Sequence, residues 1–373
     1  MAGHEVRQSP GSKPGFFYGY IVVMAGTFIM MVSYGVYNAF GIFFKPVMTD
    51  FGWTRAMTSG AFSVSWIIHG LLNVILGGLT DKLGPRIVLT FCGFFLGLGY
   101  LLMSQINSVW QLYLFQGLII GTGISGLNVS LLSTVARWFV ARRSLMGGIV
   151  IAGGGVGALI MPPIANWLIS TYDWRVSYII LGSLALVLVL CTAQFVRRAP
   201  ANVKHPPYGE SGIVEQEVEL ATRGFSLREA LYTRQLWLVL TMEFSLGFCA
   251  YTVMVHIVPH ATDLGISAAS AANILATVSG LAIVGRIMAG GAGDKIGNRQ
   301  VFIMGFILIS AALFCMVPAR EPWMLFLFAA IIGFAWSTGV LGSPLVADLF
   351  GLKSHGLILG VINSGYSIGA AIG

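Results

Sequence analysis

Charge is what this sequence has least of. Asp, Glu, Lys and Arg make up 9% of its 373 residues, against about 25% in a soluble domain, which excludes an ordinary water-solvated globule. Its four cysteines, Cys92, Cys191, Cys249 and Cys315, all fall in apolar runs with no C-x-x-C spacing and no histidine at metal distance. That pattern excludes a disulfide framework or a metal centre and leaves packing as their role. No Walker A sequence and no grouping of nucleophile, base and orienting residue is present, so ATP-driven pumping and enzymatic catalysis are both excluded and no cofactor is implied. The basic residues are spread over many loops instead of one face, which argues against a nucleic-acid partner. A short apolar leader with a small-residue cleavage site is also missing, so the first apolar run is expected to be retained.

What remains is 56% hydrophobic residues and 48 glycines. Runs long enough to cross a hydrocarbon core of about 30 Å lie near 18–44, 58–79, 86–105, 110–135, 144–168, 176–196, 236–260, 269–292, 300–318, 323–347 and from 356 onward. The expected fold is an all-α polytopic membrane protein. Of the 21 Lys and Arg, Lys45, Arg55, Arg175 and Arg320 fall opposite the N-terminus, Arg286 falls inside a span, and the rest share the N-terminal side. The positive-inside rule then places the N-terminus in the cytoplasm. The longest polar stretch, 197–234, reads as a linker between two units, 16–196 and 235–373, after a tail over 1–15. Its end carries Ser226 and Glu229, spaced as a helix capping box on a surface helix.

The two units echo one another. Gly77, Asp81, Lys82, Gly84 and Arg86 return as Gly290, Asp294, Lys295, Gly297 and Arg299, 213 positions on, and Pro46 and Asp50 return as Pro259 and Asp263. Gly148, Gly153 and Gly157 of the fifth run return as Gly360, Gly365 and Gly369 of the eleventh, where Tyr366 stands in place of Gly154. Small residues at such spacing let neighbouring helices approach closely. The repeated motif is read as a tight turn in which Asp81 pairs with Lys82 and Arg86, latching one state of a moving bundle; a solvated turn is the plainer alternative. Parallel halves each carrying such a turn are the pattern of a repeat-built transporter.

In its motif, G-x-x-x-D-[RK]-x-G-x-[RK], present twice, the chain resembles the major facilitator superfamily. Within it, Tyr34-Gly35-Val36-Tyr37, Phe43-Phe44-Lys45-Pro46, Phe51-Gly52-Trp53-Thr54-Arg55, Arg137-Trp138-Phe139, Arg142-Arg143, Asp173-Trp174-Arg175 and Arg286 resemble the monocarboxylate porters and oxalate:formate antiporters. The resemblance implies two six-helix halves, hence twelve spans with the chain ending in the eleventh. It also implies a midplane cavity in which Arg286 holds a carboxylate, and rocking between two open states. Three positions depart from the family pattern: Ala282 stands where animal carriers place an aspartate, Asn38 where they place a lysine, and Tyr366 near where the antiporters place a lysine.

Ionisable groups at mid-membrane ask for a reason. For Arg286 that reason is bidentate carboxylate recognition or an ion pair with Glu243. Asn73, its repeat counterpart, joins Asn38, Tyr34, Asn128, Tyr251 and Tyr366 as candidate cavity-lining groups, with interhelical hydrogen bonds as the alternative. His69 and Glu243 are candidate proton carriers, against a core histidine and a carboxylate paired with an arginine near the membrane surface. The reading is a monomeric secondary transporter of small monocarboxylates in a bacterial inner membrane, with a proton or a counter-anion as second cargo. An exporter of amphipathic compounds and a non-transporting metabolite sensor are the alternatives.

Overall fold

A computed structural model describes residues 17–198 and 224–373. Among them are eleven helices long and apolar enough to span a membrane: α1 (Gly19–Phe51), α2 (Arg55–Leu83), α3 (Pro85–Met103), α4 (Val109–Trp138), α5 (Arg143–Thr171), α6 (Trp174–Ala193), α7 (Arg234–Asp263), α8 (Ala269–Ile296), α9 (Asn298–Met316), α10 (Pro322–Phe350) and α11 (His355–Ile372). Helix beginnings follow local chemistry. Thr54 caps α2 through the Met57 amide, and its repeat counterpart Ser267 caps the start of α8 through Ser270. The expected box also forms: Ser226 and Glu229 close the N-terminus of a short helix, Leu227–Leu231. The linker residues 199–223 and the tail lie outside the described residues.

Three spans are not uniform. α1 breaks at Ala39 between Gly19–Asn38 and Phe40–Phe51, α4 contains a π-helical segment at Tyr113–Ile120, and α10 tightens into a 3₁₀ turn at Ser337–Leu341. Such irregularities unwind or overwind a helix locally and re-aim the side chains beyond them.

The two halves meet along α2–α11 and α5–α8. Glycine makes both seams. A Cβ on Gly148 of α5 would strike the Arg286 carbonyl of α8, and one on Gly360 of α11 would strike the Asn73 carbonyl of α2. The same two helices pack within their own halves by a second glycine face: Gly153 and Gly157 rest on the Thr27 and Met31 carbonyls of α1, and Gly365 and Gly369 on those of Leu240 and Phe244 of α7. Every one of these contacts has its partner at the repeat offset, so the echo heard in sequence is a pseudo-two-fold relation in space.

The motif is not a turn in the way its glycines suggest. Gly77 and Gly78 lie inside α2 and press on Gly356 and Leu357 of α11, while Gly290 lies inside α8 and presses on Ser144 and Leu145 of α5. The chain reverses instead at Gly84 and Gly297, whose φ of 91° and 97° suits a residue without a Cβ. The cysteines also divide: Cys92 is buried, but Cys191 and Cys315 are exposed on the bundle surface, so packing explains only part of the set.

Candidate functional site

Arg286 lies between the halves. Its Nη1 donates to the Ile151 carbonyl of α5 at 3.3 Å, and among the described residues no other group accepts from the guanidinium. Gly155 makes the room: a Cβ there would come within 2.9 Å of Nη1. The expected alternative, an ion pair with Glu243, is not formed. The groups in electrostatic reach of the guanidinium are two phenols, Tyr34 of α1 and Tyr366 of α11. Their supports are related by the repeat in an exchanged sense. In the first half Tyr34 of α1 faces Gly154 of α5; in the second, Gly247 of α7 faces the backbone of Tyr366 on α11. Each half thus contributes one large phenol, carried on the opposite member of its helix pair.

An aromatic cluster extends the site across the same seam. Trp66 of α2 stands edge-on to Tyr251 of α7 and to His69, with ring centroids 5.1 Å apart in each case, and to Tyr37 of α1 at 6.1 Å. Tyr37 and Ser65 share a hydrogen bond of 3.0 Å. Trp66 was not readable as a site residue, since a lone tryptophan in an apolar run is ordinary packing; what marks it is that α7 places Tyr251 against it.

The remaining candidates are dispersed. His69 and Asn73 join Ser367 of α11 in the α2–α11 seam: Asn73 Nδ2 donates to His69 Nδ1 at 3.1 Å, with Ser367 Oγ also 3.1 Å away. With Nδ1 accepting, Nε2 carries the imidazole hydrogen, and Nε2 and Asn73 Oδ1 are buried without a partner among the described residues. Asn38 is exposed at the break of α1, and its amide donates back to the Tyr34 carbonyl at 2.7 Å. Asn128 on α4 has a buried Oδ1 without a partner among the described residues. Glu243 is 4% exposed. It makes no ion pair or hydrogen bond among the described residues, which corrects the expected pairing with an arginine near the membrane surface.

At the face bearing the motif, both aspartates reach across to the other half. Asp81 Oδ1 and Oδ2 accept from the Gly356 and Leu357 amides at 3.1 and 2.9 Å, and Asp294 accepts from Ser144 and Leu145, both at 2.9 Å. Each carboxylate sits on the N-terminus of the facing half's pivot helix, where unpaired amides and the helix dipole favour negative charge. The cation for Asp81 is Arg137 of α4, at 2.6 Å, not its sequence neighbours. Lys82 is exposed, and Arg86 bonds Gln194 at 2.6 Å. Lys295 and Arg299 are exposed as well. Asn298 completes the second latch, bonding both Ser144 and Asp348 at 2.7 Å, with Arg143 3.5 Å from Asp348. The expected pairing of Asp81 with Lys82 and Arg86 is therefore not formed, because its partners come from other spans.

Two pseudo-symmetric bundles of apolar helices, joined by glycine seams and by reciprocal helix caps on one face, define the fold of a membrane transport protein. The chain belongs to the Major Facilitator Superfamily, whose family model matches residues 24–373. It is 29% identical over 360 residues to monocarboxylate transporter 13 of Bos taurus, covering 95% of this chain and 81% of that one. It is 28% identical over 336 residues to the oxalate:formate antiporter of Oxalobacter formigenes, covering 89% and 77%. Among solved structures, the proton:xylose symporter XylE superposes with a TM-score of 0.72 at 14% identity, over 95% of this chain and 86% of that one; at that identity the likeness is one of fold.

Proposed function

We propose that this protein carries small monocarboxylates across a bacterial inner membrane by alternating access, with its N-terminus and motif face in the cytoplasm, using either a proton or an exchanged anion as second cargo. The observation that carries the reading is a guanidinium between the halves with most of its donors unspent, flanked by two phenols. A planar fork of N–H groups suits a carboxylate's two oxygens, and phenolic hydroxyls can add a donor at either side. One fixed cation matches one carboxylate better than two. The names of the relatives, a monocarboxylate transporter and an oxalate:formate antiporter, agree that the substrate is a small carboxylate anion, while oxalate carries two such groups. Tyr34 and Tyr366 are assigned to substrate binding, Tyr251 and Trp66 to the wall of the cavity, and Asn73 and His69 to the seam over which the halves move. In this assignment the helix caps hold the cytoplasmic face shut.

The test is uptake of radiolabelled lactate, pyruvate, acetate and oxalate into proteoliposomes, with and without an inward proton gradient, for wild type and Arg286→Gln. Uptake of the monocarboxylates, lost in the variant while the protein still inserts and remains monodisperse, is the expected result. A folded wild type that moves none of the four overturns the substrate assignment.

A further inference from the structure

Glu243 is a buried carboxyl that the substrate site does not use. It lies on α7 with 4% of its surface exposed. Its Oε1 lies against Gly342, the residue at which α10 leaves its 3₁₀ turn; a Cβ at Gly342 would run into that oxygen. The titratable group in electrostatic contact with it is Tyr366 of α11, the same phenol that lies in reach of Arg286.

Other charged groups on the packed elements are engaged elsewhere. His355 at the start of α11 hydrogen-bonds the Ser343 carbonyl at 3.0 Å and has Arg137 and Arg143 as its electrostatic neighbours. Asp348 of α10 bonds Asn298 and Arg143. Glu229 on the short helix before α7 is taken by the Ser226 cap.

The repeat supplies an internal control for a purely structural role. At the 213 offset Glu243 corresponds to Met30, and at the 212 offset of the glycine runs Tyr366 corresponds to Gly154; in the first half the Met30 thioether packs at Gly154 beside Tyr34. The α1–α5 packing is thus built with apolar atoms, and the equivalent α7–α11 packing needs no carboxyl to form. A carboxyl at this depth without a counter-ion is costly when ionised, so something other than packing holds it there.

Charge counting gives that something a direction. Arg286 and an ionised Glu243 leave the empty cavity neutral. A bound carboxylate gives it a net charge of about −1 unless Glu243 takes up a proton. In a low-dielectric cavity the neutral combinations are favoured, so proton and anion binding reinforce each other, and by linkage the reinforcement is reciprocal. Tyr366, in electrostatic reach of both groups, is the element that links them.

We propose that Glu243 is the proton-binding site of this carrier, coupled through Tyr366 to the anion held at Arg286. This rests on the carboxylate reading above. In each cycle the Glu243 carboxylate accepts one proton from the side on which the substrate enters and releases it, as the carboxylate re-forms, to the side on which the substrate leaves. His69 is then a seam residue and carries no transported proton.

The test uses the purified full-length protein in proteoliposomes, as wild type, Glu243→Gln and Glu243→Asp. Two readouts are taken: radiolabelled lactate, with proton-driven uptake compared against counterflow exchange, and infrared difference spectra recorded across a pH titration without substrate. The expected result is that Glu243→Gln keeps counterflow, loses stimulation by the proton gradient and loses a titrating carboxyl C=O stretch, while Glu243→Asp retains both with a shifted pH profile. Proton-driven uptake that survives in Glu243→Gln overturns the proposal. If wild type carries no lactate, the infrared titration still decides: a protonating carboxyl that vanishes in Glu243→Gln supports the proton site independently of the substrate, and no such band overturns it.

Discussion

The guanidinium of Arg286 is held by very little, and that is its most informative property. One backbone carbonyl at 3.3 Å fixes Nη1, and a missing Cβ on Gly155 gives it space. A single methyl group therefore probes the site. In Gly155→Ala the new carbon lies within 2.9 Å of Nη1 and also against Ile283, so the guanidinium must shift while α5 remains helical. KM for the transported carboxylate is expected to rise about tenfold, equivalent to ~1.4 kcal/mol of binding, with a smaller change in maximal rate. Gly147→Ala is the control, since its Cβ would meet only Leu132 at an ordinary 3.4 Å. Equal KM changes in the two variants would show that the effect is general to α5. At this scale Arg286 and Tyr366 are conspicuous in the sequence, as an ionisable and a large polar group in glycine-rich apolar runs, whereas the polar character of an asparagine such as Asn38 or Asn128 does not say which way its helix turns it.

At the scale of elements, the boundaries were legible and the reason for the motif was not. Apolar run length marked ten of the eleven spans to within a few residues, since it is a local property; the first runs on to Phe51, seven residues past its expected end. The partners of Asp81 were hidden, because Arg137 and the Gly356 and Leu357 amides lie on α4 and α11. Two predictions belong here. Asp81→Asn removes both a helix-terminal charge and the Arg137 pair, whereas Asp294→Asn removes the charge from Ser144 and Leu145 without breaking an ion pair of its own. Each is expected to destabilise the closed motif face by about 1 kcal/mol, with Asp81→Asn the larger; spin-label distances between the motif-face ends of α2 and α11 should show a greater open population in that variant. The second concerns the short helix before α7. Hydrogen bonds from the Ser226 amide and hydroxyl hold the Glu229 carboxyl below its ordinary range. A lowered folded value means that the contribution of the box is complete above the unfolded carboxylate range, near 4.3, and is lost as pH falls through the folded value. Protection factors for amide exchange over Leu227–Leu231 should fall in acid, and Ser226→Ala, which keeps the backbone donor, should weaken the pH dependence.

For the molecule as a whole, the duplication was the strongest signal in the sequence because it is a relation between distant positions that needs no propensity to detect. It matched the glycine run of α5 to that of α11 and marked both for close helix approach; the helices they meet were not legible. The exchange of Tyr34 and Gly154 for Gly247 and Tyr366 was only half visible: Tyr366 stood out against Gly154, but the matching replacement of Tyr34 by Gly247 became meaningful once both phenols were seen to converge on one arginine. The halves are alike in frame and unlike in content.

The glycine seams also bear on how such a molecule moves. Where α5 crosses α8 and α11 crosses α2, Gly148 and Gly360 face a main-chain carbonyl of the other half, so at these two points no side-chain torsion stands between the helices. On the alternating-access proposal they serve as plain bearings, and the pace of the swing is set at its ends, by how often the caps on α5 and α11 let go together.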